Sequence, residues 1–562
     1  MSSGDDISDK LKQKLKIQVF KDLDLIDGKK IVVWQNDVLR RIDLMISASE
    51  FLEHNVTRHI LLPIKFEKGS VLNLEGATSV IFVIPPQKES FLVLKEILSA
   101  KKTGIFYHVR VVCRVSKQLS DMLLGNKDLE RKVKSFEIWP FFWSPSFGDL
   151  VLNTFSLNPI KIFVDDDFEL ISLCSSGISD LGIIPQIRYK GKSAEKIVNN
   201  VKGNTGKGEN LFDELVVIDR ETDPLTPFMN QYSFSGILDD LFGIDVKNNI
   251  KVPKEMMERK VFLENAKYAD EGVDIKLSTD VYRELIHLSV RDALAKIRNI
   301  FKELSVIENA HSQLSSVNDF KKYMPALQKL SQRKDKASVA LHLLTICYCR
   351  NAQFGQKTLY EFERSVLYGE VSSGTASPMI EMLLLNGSEE KDTMQALSLI
   401  VVQSLVNGGL QPKVWAEYQR LITQSFGIEA VKWCLNLEHT GVINDVNDKS
   451  SRFSWLSSEL KKLRVAIDPE QDIKADHYSG YVPLMVRMLE KGIRDGWKTF
   501  QTIQLEQNSP IYNGLSIRRA LFVVGGLTRS ELGCLRSLGF TAIFTTNILQ
   551  SDDLIQLCKL KE

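Results

Sequence analysis

Cysteine is scarce in this chain of 562 residues: seven, an odd number, at Cys113, Cys174, Cys347, Cys349, Cys434, Cys534 and Cys558. That usage belongs to a reducing compartment and excludes a disulfide framework. Long apolar runs are missing. The strongest, Ile31–Trp34, Val80–Ile84 and Leu399–Val402, fall far short of the roughly 20 residues needed to cross a bilayer. The opening Met1-Ser-Ser-Gly-Asp-Asp is acidic and lacks a basic stretch followed by an apolar one, so no signal peptide is expected. Excess charge of either sign is absent too, since 72 Lys and Arg face 71 Asp and Glu. This balance gives no global electrostatic reason to bind nucleic acid or an anionic membrane. With Gly at 32 and Pro at 16, collagen-like, linker-rich and extensively disordered chains are excluded. What is there, 44% apolar and 25% charged residues, is the composition of a soluble globular protein. At roughly 150 residues per domain the length predicts about three or four domains. A cytosolic protein is expected, with membrane association no more than peripheral.

Strand and helix patterns alternate over the first 130 or so residues. Ile31–Trp34, Val80–Ile84, Tyr107–Cys113 and Phe136–Pro140 read as strands, and Leu39, Ile42, Ile46 and Phe51 mark an amphipathic stretch. Short β-rich runs separated by helical patterns predict a parallel sheet in an α/β layer. A second α/β block begins near residue 141, with Glu214–Asp219 as its clearest strand, entered from the loop Lys202–Asn210. Ala520–Gly526 has the same form, followed by a helix from Arg529 to Leu538 and a strand at Ala542–Thr545. Between these ends lies a long helical middle, about 248–474, so an α/β domain interrupted by a helical insertion is the simplest arrangement. Its best helix carries Ile286, Val290, Ala293, Ile297, Ile300 and Leu304 on one face, with Ser278 and Thr279 able to cap it and Asp280 in its first turn. A second periodic segment runs through Phe320, Met324, Leu327 and Leu330, with Pro325 inside it. Proline removes a donor and clashes with the preceding turn, so a bend or break is expected there.

Signatures of catalysis are not found. Gly191-Lys192-Ser193 is the end of a phosphate-binding loop, but Gln186 stands where the first glycine is needed. Gly206-Lys207 fails at Gly208 and Val201, and Asp22-Leu-Asp24-Leu-Ile-Asp27-Gly28 is out of register for a calcium loop. Cys347 and Cys349 have no second pair to complete a metal site and read as inert buried thiols. What remains is the polar knot Asp219-Arg220-Glu-Thr-Asp223-Pro224-Leu-Thr-Pro227 at the end of a good strand. Two readings apply: catalytic carboxylates, or an Arg220 guanidinium clamped between Asp219 and Asp223 to fix a turn.

The segment Val217–Phe228, with Gln231–Asp240 after it, also resembles the hallmark of the Sec/Munc (SM) family. Four further stretches agree with it in order: Leu181–Ile187 with Lys190–Ala194, Ser425–Glu429 with Leu435–Gly441, Tyr478–Arg487, and Phe522–Thr528 with Glu531 and Arg536. Phe234-Ser-Gly236-Ile-Leu-Asp239 and Tyr478–Arg487 favour the vacuolar protein-sorting branch numbered thirty-three, whereas Pro224 is more like the exocytic branch.

Membership would imply an arch-shaped α/β plus all-α fold: domain one over 1–140, domain two split between 141–247 and 475–562, and a helical domain three over 248–474. It would imply no enzyme activity, no cofactor and no metal. SM proteins bind SNAREs and promote membrane fusion. The branch acts in HOPS and CORVET tethering complexes on endosomes and lysosomes or vacuoles, held there by vacuolar protein-sorting subunit sixteen, and templates the pairing of syntaxin-type and vesicle-type SNARE helices. Carried onto this chain, the syntaxin-binding stretch is Gln35–Thr57, with Arg40, Arg41 and Leu44 as candidates. The templating hairpin is about 279–345, with Phe320, Tyr323, Met324, Pro325 and Leu327 at its centre. The structural family motif comprises Asp219, Arg220, Asp223, Gly525 and Gly526. Six basic residues against two acidic ones between Ser316 and Lys336 would suit an amphipathic SNARE helix. The alternatives are an exocytic-type SM protein clamping one syntaxin, and a nucleotide-dependent enzyme built on Gly191–Ser193.

Overall fold

The computed structural model describes residues 3–62, 76, 78–146, 148–153, 168–202, 210–256, 268–269, 272–312, 317–352, 354–386, 390–505, 517–550 and 555, except 101–104. Five parallel strands form the first sheet, in the order β2-β1-β3-β4-β5. They are β1 (Lys30–Trp34), β2 (Val56–Leu61), β3 (Ser79–Ile84), β4 (Phe106–Val112) and β5 (Val133–Trp139). Every residue of β1 and β3 is buried, as expected of strands covered on both faces. The amphipathic stretch after β1 is two helices, Asn36–Ile42 and Ala48–Glu53. The second starts where Ser47 and Glu50 form a reciprocal cap. Strand β2, whose burial is mixed, and the N-terminal helix Ser3–Asp24 were not anticipated from the pattern.

The second sheet takes β6 (Trp143–Pro145), β7 (Leu150–Asn153), β8 (Gln186–Lys190) and β9 (Glu214–Asp219) from before the helical middle. After three short strands, β10 (Asn249–Val252), β11 (Tyr268–Ala269) and β12 (Gly272–Lys276), it takes β13 (Gln501–Gln504), β14 (Arg519–Val524) and β15 (Ala542–Thr545) from after it. The order is β13-β8-β9-β14-β15-β7-β6, with antiparallel edges on a parallel centre. Strand β14 lies between β9 and β15, pairing Val217 with Phe522. Residues 305 positions apart in sequence thus share one ladder.

Alternation along these strands distributes the cores. Ile31, Val33, Val80 and Phe82 pack beneath the first sheet. Val32, Trp34, Ile81 and Val83 belong to a core that continues into Val217, Phe522 and Phe544 of the second. The other face of the second sheet, with Val216, Ile218, Leu521 and Val523, packs on helices carrying Leu397, Ile400, Tyr418 and Leu489.

The middle departs from expectation at four points. It opens on a small antiparallel sheet, β10-β12-β11, and is not helical from residue 248. The stripe from Ile286 to Leu304 is buried as expected, but it spans two helices. Thr279 caps only Asp280–Leu285, and Val290–Ser312 begins anew with Ser289 accepting from the Asp292 amide at 3.2 Å. The interruption has a cause: the carbonyls of Ile286 and Leu288 accept from the amides of Ser235 and Phe234, so they are withdrawn from helical bonding. Pro325 breaks nothing, since the helix Val317–Ala352 runs through it. Lastly, Cys347 is buried but Cys349 is exposed.

One buried carboxyl joins the insertion to the α/β unit. Glu363 accepts from the Asn230 amide at 2.9 Å, from its side chain at 2.7 Å and from the Ser479 hydroxyl. Burial pushes its pKa up to about 7 against those hydrogen bonds. The folded-state pKa lies above the unfolded one, so this contribution to stability is fully present below about pH 4.5 and is lost as pH rises through about 7. Glu363→Gln keeps the shape and removes the charge. The variant is expected to gain up to about 3 kcal/mol over the parent at pH 8, and the gain should shrink toward pH 5. Thermal melts of both proteins across that range check it; a difference independent of pH would refute it.

Candidate functional site

Strand β9 ends at Asp219, and the chain turns through two short 3-10 helices, Arg220–Thr222 and Thr226–Phe228. The turn points Arg220 into the protein, where its side chain is fully buried. Nη1 donates to both carboxylate oxygens of Glu531 at 2.9 Å. Nε donates to the Asp223 carbonyl at 2.9 Å, and Nη2 lies 3.2 Å from Asp223 Oδ2. Burial opposes the charge on Arg220, but Glu531 and Asp223 outweigh it and move the guanidinium pKa up.

The expected clamp is therefore half right. Asp223 holds Arg220, but Asp219 does not; the second carboxylate is Glu531, 311 positions away. Asp219 Oδ2 instead accepts the backbone amides of Ser193 and Ala194 at 2.9 and 3.2 Å. These amides open the helix Lys192–Lys202, the position a phosphate would take. Asp219 fills it with an internal anion. Among the described residues its buried Oδ1 has no hydrogen-bond partner, and burial pushes the carboxyl up to about 6. A Cβ on Gly191 would lie 2.1 Å from Asp219 Oδ2, at a backbone φ of +108°. Glycine in the Gly-Lys-Ser tripeptide thus makes room for a carboxylate of the same chain.

Two other family-like stretches, Tyr478–Arg487 and Phe522–Glu531, converge on this turn. Asp223 Oδ2 accepts from the Met485 amide at 3.0 Å, at the start of the helix Leu484–Asp495. Tyr481 OH joins Thr226 Oγ1 at 2.9 Å and accepts from the Leu484 amide at 3.0 Å. Glu531 also closes a capping box with Thr528, whose hydroxyl lies 2.6 Å from Tyr478 OH. Gln231 Oε1 accepts from the Ser530 amide at 2.9 Å. Gly525 and Gly526 have φ of +99° and +102°, and a Cβ on Gly526 would lie 2.6 Å from Leu549. Such conformations suit glycine. Arg220, Asp223 and Glu531 are sealed from solvent, so the knot holds the fold together and offers no surface for a substrate. Glu531 was missed as the partner of Arg220; Thr528-x-x-Glu531 is visible as a capping box, but its second use is not.

The surface candidates lie elsewhere. Arg40 is exposed on the helix Asn36–Ile42. Arg41 is turned inward and donates to the Asn153 carbonyl at 2.7 Å, tying this helix to β7. Leu44 packs, partly buried, against the core between the two sheets. In the long hairpin, Pro325 is exposed, as are Ala326, Gln328 and Lys329. The side chains of Phe320, Tyr323, Met324 and Leu327 lie outside the described residues. Glu308, near the end of Val290–Ser312, pairs with Lys334 at 2.8 Å. Pro325 therefore precedes this contact, in the outer part of its helix. Arg333 and Lys336 pair with Glu284 and Asp280 at 2.9 and 3.0 Å. Three of the six basic residues counted there are thus neutralised within the chain. A further feature lies in and beside the family-like stretches Ser425–Glu429 and Leu435–Gly441: Ile428, Val431 and Leu435 are exposed along the helix Ala430–His439 and the turn before it, Ile428 by 80% and Leu435 by 55%. Val431 also lines a cavity of about 460 Å³ against the helix Pro412–Phe426. Among the described residues no group of His, Cys, Asp and Glu is placed to hold a metal, and no helix is long and apolar enough to cross a membrane.

Arg220→Ala would leave Glu531 and Asp223 buried without a counter-ion, a cost of about 3–5 kcal/mol. Gly191→Ala should also destabilise, by forcing Asp219 from its amides. Lys192, exposed beside them, should tolerate alanine within about 0.5 kcal/mol. Thermal melting of the three variants separates them, and an unchanged melt for Arg220→Ala would remove the structural role.

The chain is 26% identical to the vacuolar protein sorting-associated protein 33A of Caenorhabditis elegans, over 95% of this chain and 93% of that one. Among solved structures it is similar to the SM protein Vps45 in complex with the Qa SNARE Tlg2, with a TM-score of 0.59, 17% identity, and coverage of 98% and 97%. It is also similar to the Unc18–syntaxin 1 complex of Monosiga brevicollis, with a TM-score of 0.61, 14% identity, and coverage of 98% and 99%. The fold is that of SM proteins, and residues 30–557 match the Sec1 family, so the chain belongs to the Sec1 family.

Proposed function

We propose that this chain is a SNARE-assembly factor without enzyme activity, promoting vesicle tethering and membrane fusion on the route from endosome to lysosome or vacuole. The SM fold and relatives whose names refer to vacuolar protein sorting support this reading. So does the commitment of the Ser193 and Ala194 amides to Asp219, which leaves a nucleotide no preformed cradle. The chain works as three domains, 1–140, 141–247 with 475–562, and 248–474. Sheet membership changes between β5 and β6, and β14 returns to β9 after the insertion.

A syntaxin-type helix is met on the first domain by Arg40, with Arg41 and Leu44 positioning its helix. Vesicle-type and syntaxin-type helices are aligned along the outer part of the long hairpin. The observation that carries this reading is the continuous helix through an exposed Pro325, with Val306 and Ile307 also exposed on the partner helix. Such exposed apolar side chains are of the kind an amphipathic helix covers. Pro325→Ala restores a donor and favours the straight helix by up to about 3 kcal/mol. It is expected to strengthen SNARE binding and accelerate liposome fusion, while Arg40→Glu weakens capture of the syntaxin-type partner. Pull-down with SNARE cytosolic domains and a fusion assay read both; if neither variant changes either assay, both surfaces are wrongly assigned.

The chain acts as a subunit of a HOPS- or CORVET-type complex, and the Ile428, Val431 and Leu435 stripe takes the tethering subunit, vacuolar protein-sorting subunit sixteen in this reading. A permanent partner is argued by three exposed aliphatic side chains, Ile428 in the turn and Val431 and Leu435 on the helix after it, beside a cavity. Membrane association is then peripheral and borrowed from the complex. Ile428→Asp combined with Val431→Asp should abolish co-purification of that subunit without lowering the melting temperature. Undiminished co-purification would move the interface elsewhere.

A further inference from the structure

Two cavities share a wall where the helical insertion closes onto the last α/β segment. One, of about 590 Å³, is walled by the helices Phe354–Leu367 and Leu456–Lys462 and the loop to Gln471. The other, of about 350 Å³, lies between that loop and the helix Leu484–Asp495. Arg464 and Ile467 line both. The polar lining is mostly of one sign. Arg364 and Lys461 face the first cavity, Arg487, Lys491 and Arg494 the second, and Arg464 stands between them, against Asp468 and Glu490. In a chain whose formal net charge is +1, this is a local concentration of positive potential.

The acidic groups nearby neutralise part of it. Arg364 pairs with Asp468 at 3.2 Å, Arg487 with Asp472 and Glu490 at 2.8 and 2.9 Å, and Arg494 with Asp495 at 3.0 Å. Lys461, Arg464 and Lys491 form no ion pair among the described residues. Cations after a helix C-terminus favour its dipole, which accounts for Lys461. It does not account for Lys491, which comes from a different helix to the adjoining cavity.

Arg464 is the telling residue. It follows the helix Leu456–Lys462 with φ of +49°, the left-handed position usually given to glycine. An L side chain there is held at a cost of about 1 kcal/mol. The strain places a guanidinium on the wall common to both cavities.

The geometry points to a binding site for a multiply phosphorylated ring, an inositol phosphate head group, with phosphates shared between the two cavities and Arg464 bridging them. A single phosphate would engage only one cavity. The volumes are those of small-molecule sites, and guanidinium groups suit phosphate oxygens through paired donors. The apolar stems of Leu367 and Ile467 leave room for a ring. A nucleotide base is disfavoured, because the Arg364 guanidinium already lies over the Tyr368 ring at 5.3 Å.

The site is tested on the full chain by calorimetric titration with inositol hexakisphosphate. Flotation follows, with phosphatidylcholine vesicles carrying phosphatidylinositol bisphosphate or, at matched charge, phosphatidylserine. Saturable binding of the soluble phosphate is expected, weakened about tenfold by Arg464→Gly or Lys491→Glu. Because Arg464→Gly relieves the backbone, its melting temperature should hold or rise, which separates lost binding from lost folding. Phosphoinositide vesicles binding above phosphatidylserine vesicles would identify a lipid source, and binding of the soluble phosphate alone a free one; either supports the site. Absence of binding overturns it, as does binding indifferent to both variants, equal flotation with phosphatidylserine, or capture of an acidic peptide in place of inositol hexakisphosphate.

Discussion

A guanidinium sealed from water is tolerable only when carboxylates meet it, and in this protein the requirement organises the fold. Arg220 is reached by Asp223 from its own turn and by Glu531 from near the far end of the chain. Removing either partner would strand a charge in a medium that cannot solvate it. Each carboxylate has a second duty. Asp223 starts the helix Leu484–Asp495 and Glu531 starts Arg529–Arg536. One ionic requirement thus sets the position of two helices that enter the structure after the whole insertion has been traversed. Hydrophobic burial supplies more free energy in total, but it does not discriminate so sharply among arrangements.

The consequence is a rigid centre with its candidate working surfaces at a distance. The second sheet shares one core with the first sheet and another with the helical insertion, so all three regions are referenced to β9 and β14. Arg40, the outer hairpin and the Ile428 stripe all lie outside the knot. A protein that brings helices of different partners together needs fixed separations between the surfaces that hold them, and a shared core provides that. Arg41 shows the principle locally: the residue beside an exposed candidate contact is spent on the Asn153 carbonyl of the neighbouring sheet.

Sequence made the continuous features legible. Runs such as Ile31–Trp34, Glu214–Asp219 and Ala520–Val524 are buried on both faces, which removes the alternation and leaves an unmistakable apolar block. Strand β2 escaped notice because Thr57 and Arg58 at its centre are exposed and His59 is only half-buried. The helix stripe from Ile286 to Leu304 was right about burial and wrong about continuity, because side-chain periodicity is blind to backbone carbonyls diverted to Ser235 and Phe234. The same limit applied to Arg220. Local spacing offered Asp219 and Asp223, while Glu531 comes close only once β14 has joined β9. The long hairpin misled in a different way. Its formal charge counted Arg333, Lys334 and Lys336 as available, yet each is met by an acidic residue of the helices Asp280–Leu285 and Val290–Ser312.

Net charge misleads for a related reason. Near-neutrality over the whole chain is an average, and electrostatic recognition responds to the field within about a Debye length, roughly 8–10 Å. The hairpin and the cavities around Arg464 both depart from that average. In the hairpin, Arg333, Lys334 and Lys336 are brought against acidic residues by helix packing and cancel locally. Around Arg464, cations of two separate helices line adjoining cavities, and among the described residues Lys461, Arg464 and Lys491 form no ion pair. Burial, with Lys462 and Lys491 adding to it, even moves the neighbouring Lys190 ammonium below its ordinary pKa, against the pull of Glu459. Packing thus cancels basic charge in one place and leaves it unpaired in another. The difference arises between helices, at a level that neither residue counts nor periodicity can reach.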